Sequence, residues 1–391
     1  MFLNERNLIH DRLQHMTTYF QLDENIIHLN HAAVAPWPIV THDAVVAFAD
    51  ENMRIDSQQY DQWMQTEQQL KQKLMRLINA ASVDEIAILK NTSEGLSTVA
   101  QGLQFEQGDN IVIPDEEFPS NRVVWLALKD QGVEIRLVKI EEADDPERAL
   151  IDAMDEHTRL LSCSSVQYAR GLRLDLNRLG DACKRYDSLF CVDAIQSLGA
   201  MAFDVQACQA DFVVADGHKW MCAPEGTALF YCRKAIQPAL TLHQYGWHML
   251  KDAFDFAHHH DDIHYADDAQ RFESGSPNMM GIAALDASLG LLLDIGIDNI
   301  EQQVLMNTEY LFEQLNAMED IELLTSSQKG KYAGIVTFQK KTVDNVALYK
   351  HLQANDVICA YRGEGIRFSP HFYTDKLTMD KALVIVSDYR D

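Results

Sequence analysis

Basic side chains are scarce in this chain: 33 lysines and arginines stand against 59 aspartates and glutamates, a formal net charge of −26 over 391 residues. Such a surface repels nucleic acid and anionic lipid, so neither is an expected partner. Nor is there an uninterrupted run of roughly 18 apolar residues, although hydrophobic residues make up 47% of the chain, and no membrane span is expected. The opening stretch MFLNERNLIHDRLQHM carries acids and no apolar core, unlike a secretory signal. The seven cysteines (Cys163, Cys183, Cys191, Cys208, Cys222, Cys232, Cys359) are odd in number and show no C-x-x-C spacing. Free, mostly buried thiols in a reducing cytoplasm are expected, not a disulfide scaffold. Repeats, low-complexity tracts and obvious linkers are missing as well. The length suits one two-lobed unit or two domains with an ample core. An anionic ligand in so acidic a protein needs arginine and lysine concentrated at its pocket.

What is there centres on residues 187 to 230. Two apolar runs, Leu189 to Val192 and Phe212 to Ala215, have the character of buried parallel strands. The first ends in Asp193 and Gln196, the second in Asp216, Gly217, His218 and Lys219. In an open α/β sheet, ligands bind beyond the carboxyl ends of the strands, so both sets face one crevice. A lysine partly desolvated beside His218 and Trp220 has a lowered pKa and suits Schiff-base formation. Asp193 is an anionic partner for a heteroaromatic nitrogen, and pyridoxal phosphate (PLP) chemistry needs both groups. Taken singly, Asp193 equally suits a helix cap over Ala194 to Gly199, and Lys219 a solvated turn.

Upstream, Asn91 with Glu94 marks a helix start after a short strand ending at Lys90. Free N–H groups at that start, with the hydroxyls of Thr92 and Ser93, form a candidate phosphate anchor. Helical spacing predicts helix over 41 to 79, 120 to 130, 147 to 155 and from about Ile282 to Leu293. Strands are predicted at 110 to 113, 133 to 140, 158 to 164, 334 to 338 and 365 to 369, and a short helix over 1 to 19. Strand–helix alternation argues a mostly parallel, doubly wound sheet. Gln167 and Tyr168, after the strand at 158 to 164, point into the same crevice. Late in the chain Arg367 stands in a strand context, where a guanidinium fork holds a carboxylate bidentately. The cluster His258 to Asp262 with His264 lacks recognisable ligand spacing, and a polar loop is expected there, not a metal site.

The pair of motifs D-A-x-Q-x-x-G and D-F-V-V-A-D-G-H-K-W resembles the class V aminotransferase family of fold-type I PLP enzymes. That family includes cysteine desulfurases, selenocysteine lyases, kynureninases and isopenicillin N epimerase-like proteins. The resemblance extends from Asn30 to Tyr373 through Leu29-Asn-His-Ala, Phe118-Pro, Arg271-Phe-Glu-Ser-Gly-Ser-Pro-Asn and Arg367-Phe-Ser-Pro-His-Phe-Tyr. It implies a large PLP-binding domain over 20 to 280, a smaller C-terminal α/β domain over 281 to 391 joined by residues 1 to 19, and a homodimer with shared sites. It implies PLP on Lys219, Asp193 at the pyridine nitrogen, Gln196 near the phenolic oxygen and Phe118 stacked on the ring. Thr92, Ser93, His218 and Ser276 of the other copy would hold phosphate, and Asn30, His31 and Arg367 the amino-acid substrate.

The expected reaction lies at the α-carbon of an amino acid, aminotransferase- or epimerase-like, with a 2-oxo acid as a possible second substrate. The alternative is a C–S or C–Se lyase or cysteine desulfurase-like enzyme; a PLP-binding module without turnover ranks last. Gln167 and Tyr168 depart from the H-x-S-N of desulfurases. Cys359 falls in an apolar run joined by a short turn to the strand of Arg367, and Cys222 follows Lys219 where the family places no nucleophile. An ordinary desulfurase, which needs a reactive thiolate on a long loop, is therefore not expected.

Overall fold

A computed structural model describes residues 19–257 and 262–390. The expected helix over 1 to 19 lies outside the described residues except for Tyr19, and so do His258 to Asp261 of the histidine cluster.

The central sheet has seven strands: β2 (Ile86–Leu89), β3 (Asn110–Pro114), β4 (Glu134–Val138), β5 (Thr158–Ser164), β6 (Leu189–Asp193), β7 (Phe212–Asp216) and β8 (Ala228–Cys232). Their spatial order is β2-β8-β7-β6-β5-β3-β4. From β7 to β4 every pairing is parallel, while β8 runs antiparallel to both β7 and β2. Side chains alternate across the pleat. Val192, Val213 and Ala215 enter one core while Cys191, Phe212 and Val214 enter another on the opposite face. Two-sided burial is why these strands read as continuous apolar runs.

A second, antiparallel sheet has the order β12-β13-β10-β9: β9 (Ile321–Leu323), β10 (Val336–Lys340), β12 (Ala360–Arg362) and β13 (Gly365–Phe368). The short β1 (Ile27–His28) pairs in parallel with β11 (Val357–Ile358) beside it. A third core gathers Ile27 and Leu29 with residues from Leu311 to Val386. We propose that the large domain spans residues 20 to 280 and the smaller one 281 to 391.

One expected element differs. The helix read over 41 to 79 is two, Ile39–Ile55 and Tyr60–Leu77, because Asp56 adopts a left-handed φ of 54°. Nor does the chain form the alternative of a helix over Ala194 to Gly199 capped by Asp193. Ser197 and Leu198 donate to the Ala194 carbonyl, and Gly199 then takes φ 98° hard against Trp220, where a Cβ would sit 2.3 Å from the Trp220 carbonyl oxygen. Only glycine fits that approach. Among the described residues no single helix is long and apolar enough to cross a membrane.

A buried charge cluster ties the loop after Phe272 to the central sheet. The Lys71 ammonium lies 2.9 Å from both Glu67 Oε1 and Glu273 Oε2. Glu273 Oε1 accepts from the Ile88 amide of β2 at 2.7 Å, and His248 Nδ1 lies 3.5 Å from Glu273 Oε2. Glu67, His248 and Glu273 are grouped closely enough for a metal ion, but Lys71 already supplies the cation. Removing that cation strands two carboxylates in the core, so Lys71→Met should cost about 3–5 kcal/mol in urea denaturation. A loss under about 1 kcal/mol, the scale of an exposed pair, would show the cluster to be dispensable.

Candidate active site

The candidate residues gather at and beyond the carboxyl ends of β5, β6 and β7, in what is called the cleft below. After β7 the chain turns through Asp216, Gly217 and His218, the Gly217 amide donating to the Thr227 carbonyl at 3.0 Å, and presents Lys219. Lys219 is buried, and its Nζ stands 5.5 Å from the centre of the Phe118 ring. Burial lowers the amine below the ordinary lysine range, Arg367 adds to that, and Asp193 and Asp216 oppose it. At the end of β6, Asp193 is 1% exposed and its Oδ1 accepts from the Ile195 amide at 3.0 Å. Burial pushes its carboxyl up, against that hydrogen bond and the Lys219 charge. Buried groups shifted in this way cluster at functional sites.

The start of helix Thr92–Gly102 forms one end of the cleft. Asn91 caps it, accepting from the Glu94 amide at 2.9 Å, while Glu94 Oε2 accepts from the Lys90 amide at 2.7 Å. The Thr92 amide donates to Asp216 Oδ2 at 3.2 Å, and Ser93 Oγ donates to Ser120 Oγ at 2.8 Å. Opposite, Arg367 on β13 is 2% exposed, donates from Nη1 to the Tyr168 carbonyl at 2.6 Å and reaches Asn30 Oδ1 from Nη2 at 3.5 Å. No carboxylate pairs with it among the described residues, and burial lowers its pKa to about 10.

Several buried polar atoms around Lys219 lack a hydrogen-bond partner: Thr92 Oγ1, Asp216 Oδ1, His218 Nδ1, Gln167 Oε1 and Arg367 Nε. Leaving such groups unpaired costs about 1–3 kcal/mol each. Their spread suits a phosphate at the helix start, a ring over Asp193, and a carboxylate at Arg367. These residues fit PLP and an amino acid.

Other expected residues behave differently. Gln196 is buried with its amide engaged at both ends, donating to the Ala32 carbonyl at 3.0 Å and accepting from Trp220 Nε1 at 2.9 Å. His31 is sealed in the wall behind Lys219: Nδ1 donates to the Ser369 carbonyl at 2.9 Å and Nε2 meets the Tyr373 hydroxyl at 2.6 Å. Ser276 is exposed on the loop before helix Met279–Ile295 and makes no hydrogen bond to this cleft among the described residues. Every cysteine is buried. Burial pushes the Cys359 thiol up to about 12, and that of Cys222 higher still.

Sequence reasoning gave no role to Glu117, Asp216, His28 or His371. The adjacent acids before Phe118 were the only available signal for Glu117. Asp216 was visible at a strand end, but its contact with Thr92 was not. His28, His31 and His371 meet edge to face as a buried trio, with ring centres 4.6 and 5.1 Å apart. Burial lowers His28 and His371 from the ordinary 6.5 to about 4, and lowers His31 too. The folded state therefore binds fewer protons than the unfolded one between about 4 and 6.5, so acidification through that window favours unfolding. Denaturation measured across it should show stability rising with pH, with a shallower slope in His28→Asn. An unchanged slope would count against the trio as its source.

Residues 27–372 match the Aminotransferase class-V family, and the chain belongs to it. It is a PLP-dependent enzyme of that family. A probable cysteine desulfurase of Methanothermobacter thermautotrophicus is 33% identical, over 86% of this chain and 84% of that protein. The uncharacterized aminotransferase YcbU of Bacillus subtilis is 31% identical over 78% of each. Among solved structures, the cystine C–S lyase C-DES in complex with cysteine persulfide, its reaction product, matches with a TM-score of 0.87 at 23% identity, covering 94% of this chain and 99% of that one. The apo cysteine desulfurase of Thermococcus onnurineus NA1 gives 0.85 at 22%, covering 96% and 97%. The structural likenesses establish the fold, an α/β fold-type I architecture with a large mixed sheet and a smaller C-terminal unit.

Proposed function

We propose that this protein is a PLP-dependent lyase that breaks the C–S bond of a cysteine-type amino acid without a thiol nucleophile of its own. One observation carries the reading: a cleft with an unpaired buried arginine, suited to an amino acid, stands in a chain whose thiols are all buried. The names of the relatives support sulfur chemistry over the α-carbon transamination or epimerisation first expected from sequence. The sealed Cys359 and Cys222 favour elimination over persulfide transfer to the enzyme, which requires a reachable thiolate.

In this reading Lys219 holds the cofactor aldehyde, Asp193 faces the ring nitrogen, and Thr92, Ser93 and His218 hold the phosphate. Gln196 anchors the loop beneath through Ala32 and Trp220. Bound PLP supplies an electron sink for the pair released at Cα. Arg367 and Asn30 take the substrate carboxylate, which fixes the Cα bonds relative to Lys219. Lys219 Nζ would take the Cα proton as general base. Its lowered basicity leaves it neutral often enough to do so. The Cβ–S bond then breaks with its electron pair on sulfur, and cysteine plus water gives pyruvate, ammonia and sulfide. Ser276, exposed on its own chain, is assigned to the phosphate of a second copy in a homodimer.

Borohydride reduction of the yellow protein should fix the cofactor to Lys219; a mass spectrum with no adduct there would remove the assignment. With L-cysteine or L-cystine, pyruvate should form in wild type and Cys359→Ser alike. Alanine that vanishes in Cys359→Ser would mean a desulfurase. A 2-oxo acid-dependent amino transfer without pyruvate would restore the α-carbon reading, which the relative YcbU favours. Arg367→Ala should weaken amino-acid binding by about 2–5 kcal/mol with cofactor content unchanged. Unaltered affinity for carboxylate ligands would make Arg367 structural.

A further inference from the structure

Gln167 and Tyr168, where this chain departs from the desulfurase pattern, have no part in the reaction above. Both lie on a short loop, residues 166 to 173, that leaves the end of β5 and closes on itself. Val166 and Arg173 form an antiparallel bridge. The Gln167 amide donates to the Leu172 carbonyl at 2.8 Å, and the Gly171 amide to the Gln167 carbonyl at 3.0 Å. The next carbonyl along, that of Tyr168, is the one that holds Arg367 Nη1 at 2.6 Å. By comparison the Asn30 contact of Arg367 is long at 3.5 Å, and its Nε has no partner.

The loop is fastened on two sides. Toward the central sheet, the buried Gln167 donates from Nε2 to Glu117 Oε1 at 2.8 Å. Glu117, buried in the turn after β3, takes the Ser164 amide on the same Oε1 at 2.6 Å, and its Oε2 meets Ser164 Oγ. An oxygen that takes a backbone N–H is an acceptor, so Gln167 must face it with nitrogen. Burial pushes the Glu117 carboxyl up, yet the bond does not depend on its charge: a proton on Oε2 leaves Oε1 able to accept. Gln167 Oε1 has no partner, so this bond is the polar hold on the side chain. Toward the second sheet, Thr337 Oγ1 donates to the Ala169 carbonyl at 2.7 Å, and Thr337 stands opposite Arg367 in the pairing of β10 with β13. Gly171, at φ 75°, packs where a Cβ would lie 2.7 Å from the Ile335 carbonyl oxygen, an approach that only glycine allows.

We infer that Gln167 is a positioning residue for Arg367: fastened to Glu117, it fixes the loop whose Tyr168 carbonyl sets the plane of the guanidinium. A guanidinium grips a carboxylate through two parallel bonds only when its plane is correctly turned. Releasing the loop turns the fork and costs affinity for a carboxylate, not for an amine. This rests on the assignment of Arg367 to the substrate carboxylate. A residue that merely braced the loop would weaken all ligands alike.

The test titrates the PLP-loaded protein with L-alanine and with ethylamine, which differ by the carboxylate alone, and follows the absorption of the bound cofactor. Gln167→Leu should weaken L-alanine binding about tenfold, the scale of one hydrogen bond to a charged group, with ethylamine affinity and PLP content unchanged. Glu117→Leu should do the same, and Glu117→Gln, which keeps an acceptor oxygen, should recover the affinity. With L-cysteine, the KM of Gln167→Leu should rise by more than kcat falls. Thr337→Val releases the other side of the loop with little change of shape and should shift L-alanine in the same direction, which decides the matter if Gln167→Leu does not fold. Wild-type L-alanine affinity in these variants, or equal losses for both ligands, would overturn the inference. Arg367→Ala with unaltered L-alanine affinity would instead sink the carboxylate assignment, so the two failures are separable.

Discussion

Desolvation of unequal charges governs this cleft. Lys219, Asp193 and Arg367 are nearly removed from water, and burial moves each away from its ordinary titration range. In water these shifts vanish; inside the fold they turn a lysine into a base and leave an arginine in want of an anion. The unsatisfied polar atoms around Lys219 follow from the same condition. A protein tolerates them where a ligand completes the set.

The sheet makes that desolvation possible. Side chains of β6 and β7 feed cores on both faces, so the strands are rigid and dry up to their last residue. Asp193 and Asp216 are those last residues. Behind Lys219 the wall is equally dry. Trp220 is fully buried, its indole N–H holds Gln196, and its carbonyl accepts from His371 at 2.9 Å. The side chains that frame the lysine therefore have little freedom to relax around a misplaced charge.

Local signals were legible in the sequence. Strand-to-polar transitions located Asp193 and the Asp216 to Lys219 turn, the capping pattern located Thr92, and a strand context located Arg367. Contacts between distant segments were not legible. Glu117 acquires its surroundings from Ser164 and Gln167, 47 and 50 positions later, so nothing beside it in the chain announces them. Gln196 matched a motif, but its partners Ala32 and Trp220 arrive by tertiary packing. His31 suffered likewise, since its partner Tyr373 lies 342 positions away. The alternative of a helix after Asp193 is not what the chain forms: the Trp220 backbone lies hard beside Gly199, and propensity carries no record of such an obstacle.

The clamp formed by Asn30 and Arg367 joins residues 337 positions apart, and β1 pairs with β11 along the same seam. This bears on the order in which a chain acquires its capacities during synthesis. The strands that position Asp193 and Lys219 are complete once β8 has left the ribosome, so a nascent chain can assemble the central sheet early. Its first strand must wait, unpaired, through the translation of more than a hundred further codons. Within one chain, the proposed grip on a substrate carboxylate is thus completed last, and a truncated product of translation lacks it.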